Sequence, residues 1–159
     1  MTAPFRAKPL PSDKEAVQRL VADTGVFSPT EEGWPAEIIE AALSRGDAAG
    51  YHFLFADGPD GLDGFTCFGP IEGTKNRFDL YWIAVSPKAQ GKGLGRRLLA
   101  ESLKAAKALD ATRMFIDTST RSDYAAARAL YEALGFTLMV MLVDFYSDGD
   151  SKALFGRKL

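Results

Sequence analysis

The chain has 159 residues, of which 47% are hydrophobic and 25% are charged, as is typical of one globular domain. A formal net charge of −2 argues against a global basic field for nucleic acid or an anionic membrane. The single cysteine, Cys67, excludes an intrachain disulfide, and no apolar run is long enough for a membrane span. We expect a single domain over residues 1–159, without a signal peptide and located in the cytoplasm.

The first part of the chain predicts a short strand followed by two helices. The strand is expected over residues 5–10. Ser12 and Glu15 have the spacing of a capping box, which predicts a helix over Asp13–Asp23. A second helix is expected over Trp34–Ser44.

From residue 51 onward, patterns typical of strands and helices alternate. Aromatic and β-branched residues predict strands, and apolar stripes repeating every three or four residues predict helices. The predicted strands are Tyr51–Ala56, Phe65–Phe68, Phe78–Val85, Arg113–Thr118, Thr137–Tyr146 and Lys152–Lys158, and the predicted helices are Leu94–Leu109 and Asp123–Leu134. Asp123 is expected to cap the last helix. This order predicts a mixed α/β sheet with helices on its faces.

The segment from Val85 to Arg97 reads VSPKAQGKGLGRR and joins a predicted strand to a predicted helix. Its glycines allow a ligand close to the backbone, and the first helical turn leaves N–H groups unpaired at the positive end of the helix dipole. Basic residues cluster here, and no Asp or Glu occurs from Leu80 to Ala100. The segment therefore predicts a phosphate site. The alternative is a tight turn with a solvated basic rim.

Two common phosphate motifs do not fit this segment. The P-loop pattern GxxxxGK[ST] is absent from it. The dinucleotide pattern GxGxxG would require glycine at Arg96 or at Leu98. The segment therefore represents a different type of phosphate loop.

Two motifs resemble the GNAT superfamily of acyl-CoA-dependent N-acyltransferases. Gln90, Gly93 and Gly95 occupy the positions of its pyrophosphate loop, and the later segment ARALYEALGF matches its second signature. The resemblance implies a mostly antiparallel, twisted sheet of six to seven strands with a splayed middle pair and about four flanking helices. It also implies transfer of an acetyl group from acetyl-CoA to a primary amine of a small molecule or peptide, by direct attack in a ternary complex. No metal is expected.

The same resemblance implies which residues bind coenzyme A. Loop amides would hold the pyrophosphate, and a main-chain N–H near the splay would stabilise the oxyanion. A tyrosine stands where the family often has an Asn that holds the pantetheine arm. The residues expected to bind the cofactor are Ala84, Val85, Gln90, Gly91, Lys92, Gly93, Leu94, Gly95, Arg96, Arg97 and Tyr124.

Asp79 is the candidate base that takes the proton of the attacking amine. It lies six residues before Val85, where several GNAT enzymes carry a Glu base, and the shorter Asp is expected to act through a water. In a regular strand it would share one face with Tyr81, Ile83 and Val85. The alternative is an Asp at the wet end of the strand, bonded to Arg77 or to a loop.

Tyr131, in the second motif, is the candidate acid that protonates the departing thiolate. A phenol has a pKa of about 10 and a thiol about 8.5, so this transfer is only mildly uphill. The alternative is a helical tyrosine that belongs to the core. Cys67 would carry a covalent acyl route only if a base lay close by, and otherwise it is a buried apolar residue, while His52 is expected to be structural.

Family analogy places the amine acceptor between the first two helices and the last hairpin. The residues expected to line this pocket are Phe27, Trp34, Tyr81, Asp144 and Tyr146. Aromatic walls with few carboxylates suit a small amine or a peptide terminus. There are two alternative functions. A module that binds or senses acyl-CoA without turnover stays open, whereas the absent P-loop and dinucleotide patterns count against a nucleotide-binding protein. The sequence also leaves open whether the chain forms a homodimer.

Overall fold

A computed structural model of the protein describes residues 4–159. Over these residues the chain forms four α-helices and a six-stranded sheet in the order β1-β2-β3-β4-β6-β5. The helices are α1 (Asp13–Thr24), α2 (Pro29–Arg45), α3 (Leu94–Ala108) and α4 (Ala125–Ala133), and the strands are β1 (His52–Gly58), β2 (Gly61–Pro70), β3 (Arg77–Val85), β4 (Arg113–Ser119), β5 (Thr137–Ser147) and β6 (Asp150–Lys158). Only β3 and β4 pair in parallel. The predicted mixed, mostly antiparallel sheet is confirmed.

The strand expected over residues 5–10 is replaced by a single bridge between Arg6 and Phe55. Pro9 interrupts the segment and has no N–H to donate, so a regular ladder cannot continue. Side-chain bonds hold the segment instead. The Arg6 guanidinium donates to both oxygens of buried Asp13, at 2.8 and 2.9 Å, and to both oxygens of Asp57 at 2.9 Å.

The predicted capping box at Ser12 is wrong, although α1 begins and ends close to the predicted positions. Ser12 has helical dihedral angles, φ −68° and ψ −18°, so its side chain does not cap the helix. The capping box lies at α2, where Ser28 accepts from the N–H of Glu31 and the Glu31 side chain accepts from the N–H of Ser28. This cap starts α2 at Pro29, five residues before the predicted start.

The start of the last helix also differs from the prediction. A 3-10 turn over Ser122–Tyr124 precedes α4, and Asp123 does not cap it. The end is as predicted, because Gly135 has a φ of 86° and donates its N–H to the Glu132 carbonyl at 3.0 Å.

Buried side chains form two clusters, one on each face of the sheet. The first cluster packs against α3 and α4 and includes the predicted apolar stripe of α3, which is Leu98, Leu99, Leu103 and Ala106. The second packs against α1 and α2 around Val17, Ile39 and Phe65. Among residues 4–159, no helix has both the length and the apolar character needed to cross a membrane.

The middle of the sheet opens between β3 and β4. These strands pair only where Arg77–Asp79 faces Arg113–Phe115, and beyond this point they diverge. We call this opening the splay, bounded by residues 80–85 of β3 and residues 116–119 of β4. The splayed middle pair was predicted, and it leaves main-chain groups of both strands without a partner strand.

Candidate active site

The loop between β3 and α3 carries two glycines with left-handed backbone angles. Gly91 and Gly93 have φ values of 77° and 78°, and a Cβ atom at either position would meet nothing within 4 Å. A ligand can therefore approach the backbone at both positions. Gln90 braces the loop by donating its side-chain N–H to the Val85 carbonyl at 3.1 Å. Gly95 differs, because its Cβ would lie in ordinary contact with side chains of β3 and α4.

The backbone N–H groups from Gly91 to Arg96 have no protein acceptor in the part of the chain that the structure describes. The flanking amides are occupied, since Gln90 donates to the Pro87 carbonyl and Arg97 to the Gly93 carbonyl at 3.1 Å. The free amides lie at the N-terminus of the 15-residue helix α3. Unpaired amides and the helix dipole together favour an anion at this position.

The basic side chains around this loop have three different kinds of surroundings. They are Lys88, Lys92, Arg96 and Arg97. Lys92 and Arg96 are exposed and form no ion pair with another described residue. Lys88 lies 3.9 Å from an Asp63 carboxylate oxygen. The Arg97 guanidinium lies 5.0 Å from the ring centroid of Phe5, which belongs to the N-terminal segment. Lys92 and Arg96 are therefore free to face an anion at the free amides, while Arg97 keeps its charge beside Phe5.

The expectation that Asp79 and Val85 share a face of β3 is wrong. The β2–β3 register shifts between Cys67, paired with Trp82, and Phe68, paired with Leu80. Tyr81 is thus an additional residue on β3, and such a bulge reverses the alternation beyond it.

Asp79 consequently lies on the α1 and α2 face, opposite to Ile83. Burial first, and then the charge of Asp117, raises the pKa of Asp79 to about 6, while Lys152 opposes this shift. Within residues 4–159 the Asp79 side chain forms no hydrogen bond or ion pair. Arg77 is the partner that the sequence suggested for the Asp79 carboxylate. It donates instead to the Lys75 carbonyl and to the Thr112 hydroxyl.

The backbone N–H groups of Ala84 and Val85, the candidates for the oxyanion donor near the splay, point in different directions. The Ser86 N–H donates to the Asp63 carbonyl across the β2–β3 pair at 2.8 Å. In an antiparallel pair, main-chain groups point toward the partner strand at every second residue. We therefore expect the Ala84 N–H to face β2 and the Val85 N–H to face the splay.

Tyr131 lies in the helix layer on the other face of the sheet. Its side chain is 5% exposed and packs edge-on against Phe136 and Phe155, at centroid distances of 6.3 and 6.0 Å. The hydroxyl forms no hydrogen bond with another described residue and is not fully enclosed. Burial, and then the neighbouring Tyr124, raises the pKa of Tyr131 well above its ordinary value.

A cluster of aromatic side chains extends from the loop after α1 to the splay. Half-buried Phe27 lies 4.9 Å from Trp82 and 6.2 Å from Tyr124, measured between ring centroids. Burial first, and then the Glu31 carboxylate, raises the pKa of Tyr124. Tyr146, which is half exposed, has its pKa raised by burial and by Asp117, among other carboxylates. These aromatic residues thus stand beside carboxylates on the Asp79 face.

The remaining predicted lining residues occupy different surroundings. Trp34 is 47% exposed on α2. The Tyr81 hydroxyl donates to the Pro70 carbonyl at 3.2 Å, and its ring packs edge-on against Tyr51. Asp144 has a φ of 55° and accepts the Gly149 N–H at 2.9 Å, so that its carboxylate shapes the β5–β6 hairpin.

Four residues near the site were not among those predicted from the sequence. They are Trp82, Asp117, Thr118 and Lys152. Trp82 was missed because its side chain reaches the Asp79 face only through the bulge. Asp117 carries the signal used for Asp79, a carboxylate within an apolar strand, and lies 3.1 Å from the Lys152 ammonium. Thr118 has a buried hydroxyl without a partner among the described residues, on the β4 wall of the splay. Single-sequence patterns carry no signal for Lys152 or Thr118.

Cys67 and His52 occupy structural positions. Cys67 is buried, and burial raises the pKa of its thiol, which disfavours the thiolate that a covalent route needs. His52 stacks on Phe68 and Phe78. Over residues 4–159, no cluster of His, Cys, Asp and Glu could hold a metal ion.

The sequence model of the acetyltransferase (GNAT) family matches residues 15–136. A solved structure from Desulfovibrio desulfuricans, assigned to the same family as an acetyltransferase, is 40% identical to this chain. Its TM-score is 0.93, and the similarity covers 97% of each chain. The sequence similarity and the structural similarity to that protein therefore both extend over nearly the whole length of the chain.

Other relatives are more distant or longer. A mycothiol acetyltransferase from Salinispora tropica is 34% identical over 155 residues, which cover 86% of this chain and 48% of that protein. The chain thus spans about half the length of the curated relatives it matches first. A PaiA N-acetyltransferase from Thermoplasma acidophilum, solved in complex with coenzyme A, is 18% identical with a TM-score of 0.73 and covers 99% of this chain and 100% of its own. That likeness shows the fold alone.

Proposed function

The chain belongs to the acetyltransferase (GNAT) family, and from this premise we propose that it transfers the acetyl group of acetyl-CoA to a primary amine. The observation that carries the proposal is the run of free amides from Gly91 to Arg96 at the start of α3, beside the splay. The residues fit a pyrophosphate, because two open glycines, free N–H groups and two unpaired cations meet there. The pantetheine arm would then enter the splay, where main-chain groups of β3 and β4 have no partner strand and offer hydrogen bonds.

The two candidate catalytic residues would act from opposite faces of the sheet. The amine nitrogen attacks the thioester carbon, the C–S bond breaks, and the nitrogen loses a proton. Asp79 takes that proton through a water on the α1 and α2 face. The Val85 N–H would stabilise the oxyanion, and Tyr131 would meet the departing sulfur from the helix layer.

The environment of Tyr131 suits hydrogen-bond donation to the departing sulfur. Burial raises its pKa, so the phenol keeps its proton at neutral pH and is available as a hydrogen-bond donor to the sulfur. A hydrogen bond to a charged group is worth about 1.5–3 kcal/mol. Tyr131 would therefore stabilise the leaving group before solvent protonates it.

The acceptor proposed here is a cationic amine of a small molecule or a peptide. Phe27, Trp82, Tyr124 and Tyr146 supply aromatic surface on the Asp79 face. The carboxylates of Glu31 and Asp150 lie near Tyr146. Together with Asp117, which pairs with Lys152, they favour an ammonium group over an anion. Mycothiol-related amines belong among the compounds to test, because several relatives carry that name. A cytoplasmic location stays a prediction.

Thiol release from acetyl-CoA across a panel of amines tests the proposed activity. We expect release above the hydrolysis background with at least one amine, and stabilisation of the fold by CoA compounds but by neither ATP nor NAD. Stabilisation by CoA with no release for any amine would favour the alternative, a module that senses acyl-CoA without turnover. Stabilisation by ATP or NAD alone would overturn the proposal.

The pH dependence of turnover tests Asp79 as the base. Only the ionised carboxylate accepts a proton, and its pKa is about 6. We therefore expect kcat/KM to rise with pH through about 6 and Asp79→Asn to remove that rise while lowering kcat/KM by about 100-fold or more. The matched control, Asp60→Asn in the β1–β2 turn, should keep the wild-type profile. An unchanged rise in Asp79→Asn would assign deprotonation to another group or to water alone.

A further inference from the structure

Strand β5 exposes an unusual amount of apolar surface at the edge of the sheet. It pairs with β6 alone among the strands of residues 4–159, and all eleven of its residues are exposed. Eight of them are large apolar or aromatic side chains with 44–74% of their surface exposed. These are Leu138, Met139, Val140, Met141, Leu142, Val143, Phe145 and Tyr146. We call the uncharged part, Thr137–Val143, the apolar edge.

The apolar edge lacks the usual protection of an edge strand. Natural sheets guard such edges with lysine, proline or inward-pointing charges. The apolar edge reads TLMVMLV and contains none of these. Val140–Leu142 pairs regularly with β6, between two register shifts. Its outer N–H and C=O groups have no strand partner among the described residues, and its side chains are exposed on both faces.

We propose that a second copy of this chain covers the apolar edge, with the two β5 strands antiparallel around a two-fold axis. A strand partner satisfies the outer main-chain groups, which a helix or loop would not do regularly. Two-fold pairing sets the same uncharged segment against itself, so it needs no complementary charge. The result is one continuous sheet across both copies.

The exposed area agrees with the size of a stable dimer interface. An aromatic side chain buries about 150–250 Å² and the six aliphatic ones somewhat less, so the eight at about half exposure offer at most on the order of 700 Å². A standard interface takes about 800 Å² from each partner. The proposal does not depend on the acetyltransferase activity, because the apolar edge contains no residue of the phosphate loop, the catalytic pair or the acceptor pocket.

Light scattering coupled to size-exclusion chromatography tests the proposed dimer. We expect the wild-type protein, at micromolar concentration, to have about twice the 17.3 kDa mass of one chain. The two-fold axis is placed at Met141, the middle of the regularly paired segment Val140–Leu142. Met141→Lys should then raise the dimer dissociation constant by about 100-fold or more, because two like charges would be brought together at the axis. The matched control is Leu109→Lys at the end of α3, since both side chains are 46% exposed in one copy. It should leave the dimer intact.

Val143→Lys provides a second test if Met141→Lys does not fold. Val143 is 74% exposed, so a lysine there fits a single copy without loss of packing. Circular dichroism should show wild-type secondary structure for this variant, together with a mass of one chain. A monomeric wild-type protein, or a dimer that both lysine variants leave unchanged, would overturn the proposal.

Discussion

Tyr131→Phe is expected to lower kcat by about 100-fold while leaving the affinity for coenzyme A nearly unchanged. The substitution removes only the hydroxyl, which forms no hydrogen bond with another described residue. The ring keeps its contacts with Phe136 and Phe155, so the fold should be as stable as that of the wild type. The interaction that is lost is the proposed hydrogen bond from the Tyr131 hydroxyl to the departing sulfur. Negative charge develops on this sulfur only in the transition state. Steady-state rates and calorimetric titration with CoA measure the two effects separately.

Tyr51→Phe is the matched control for this result. Tyr51 is a partly exposed tyrosine outside the proposed catalytic pair, so its hydroxyl should have little effect on kcat. A Tyr131→Phe enzyme with wild-type kcat would make Tyr131 a core residue only. A parallel loss of CoA binding would show that the hydroxyl positions the cofactor rather than the leaving group.

Gly93→Ala is expected to weaken coenzyme A binding by about tenfold or more. Gly93 has a φ of 78°, and its missing Cβ leaves open the space next to the free amides. A methyl group would occupy the position where the pyrophosphate approaches, at the cost of charge-assisted hydrogen bonds worth about 1.5–3 kcal/mol each. A tenfold change in affinity corresponds to about 1.4 kcal/mol. Titration calorimetry with CoA measures the dissociation constant directly.

Gly73→Ala separates this effect from backbone strain. Gly73 has a φ of 79° and equally open surroundings, but it lies in the turn between β2 and β3. An alanine in left-handed geometry costs about 1–2 kcal/mol at either position. Both variants should therefore lose similar stability in urea, and only Gly93→Ala should lose affinity for CoA. Equal CoA affinities in the two variants would contradict a pyrophosphate site at this loop.

Features encoded by local backbone requirements could be predicted from the sequence. The glycines of the loop after β3 predicted that a ligand can approach the backbone, and Gly91 and Gly93 have open surroundings, whereas Gly95 does not. The end of α4 before Gly135 was also predicted, and Gly135 has a positive φ. The apolar stripe of α3 was predicted from its spacing alone and is buried. These signals are local, because each depends on the residues of one element.

Features that depend on pairing between strands could not be predicted in the same way. The bulge at Tyr81 arises from the register with β2, and it moves Asp79 and Trp82 onto one face. Lys152 approaches Asp117 only because β6 returns beside β4. The N-terminal caps of α1 and α2 also could not be predicted from local sequence alone. Ser12 and Ser28 both have the capping sequence, and only the path of the preceding chain decides which of them caps.

The most direct test of the account is a crystal structure of the protein with coenzyme A. We expect pyrophosphate oxygens within about 3 Å of backbone nitrogens between Gly91 and Arg96, with the pantetheine arm in the splay. The contradicting result is a ligand bound elsewhere, for instance in the groove lined by Phe5, Leu54 and Arg97, while these amides face only solvent.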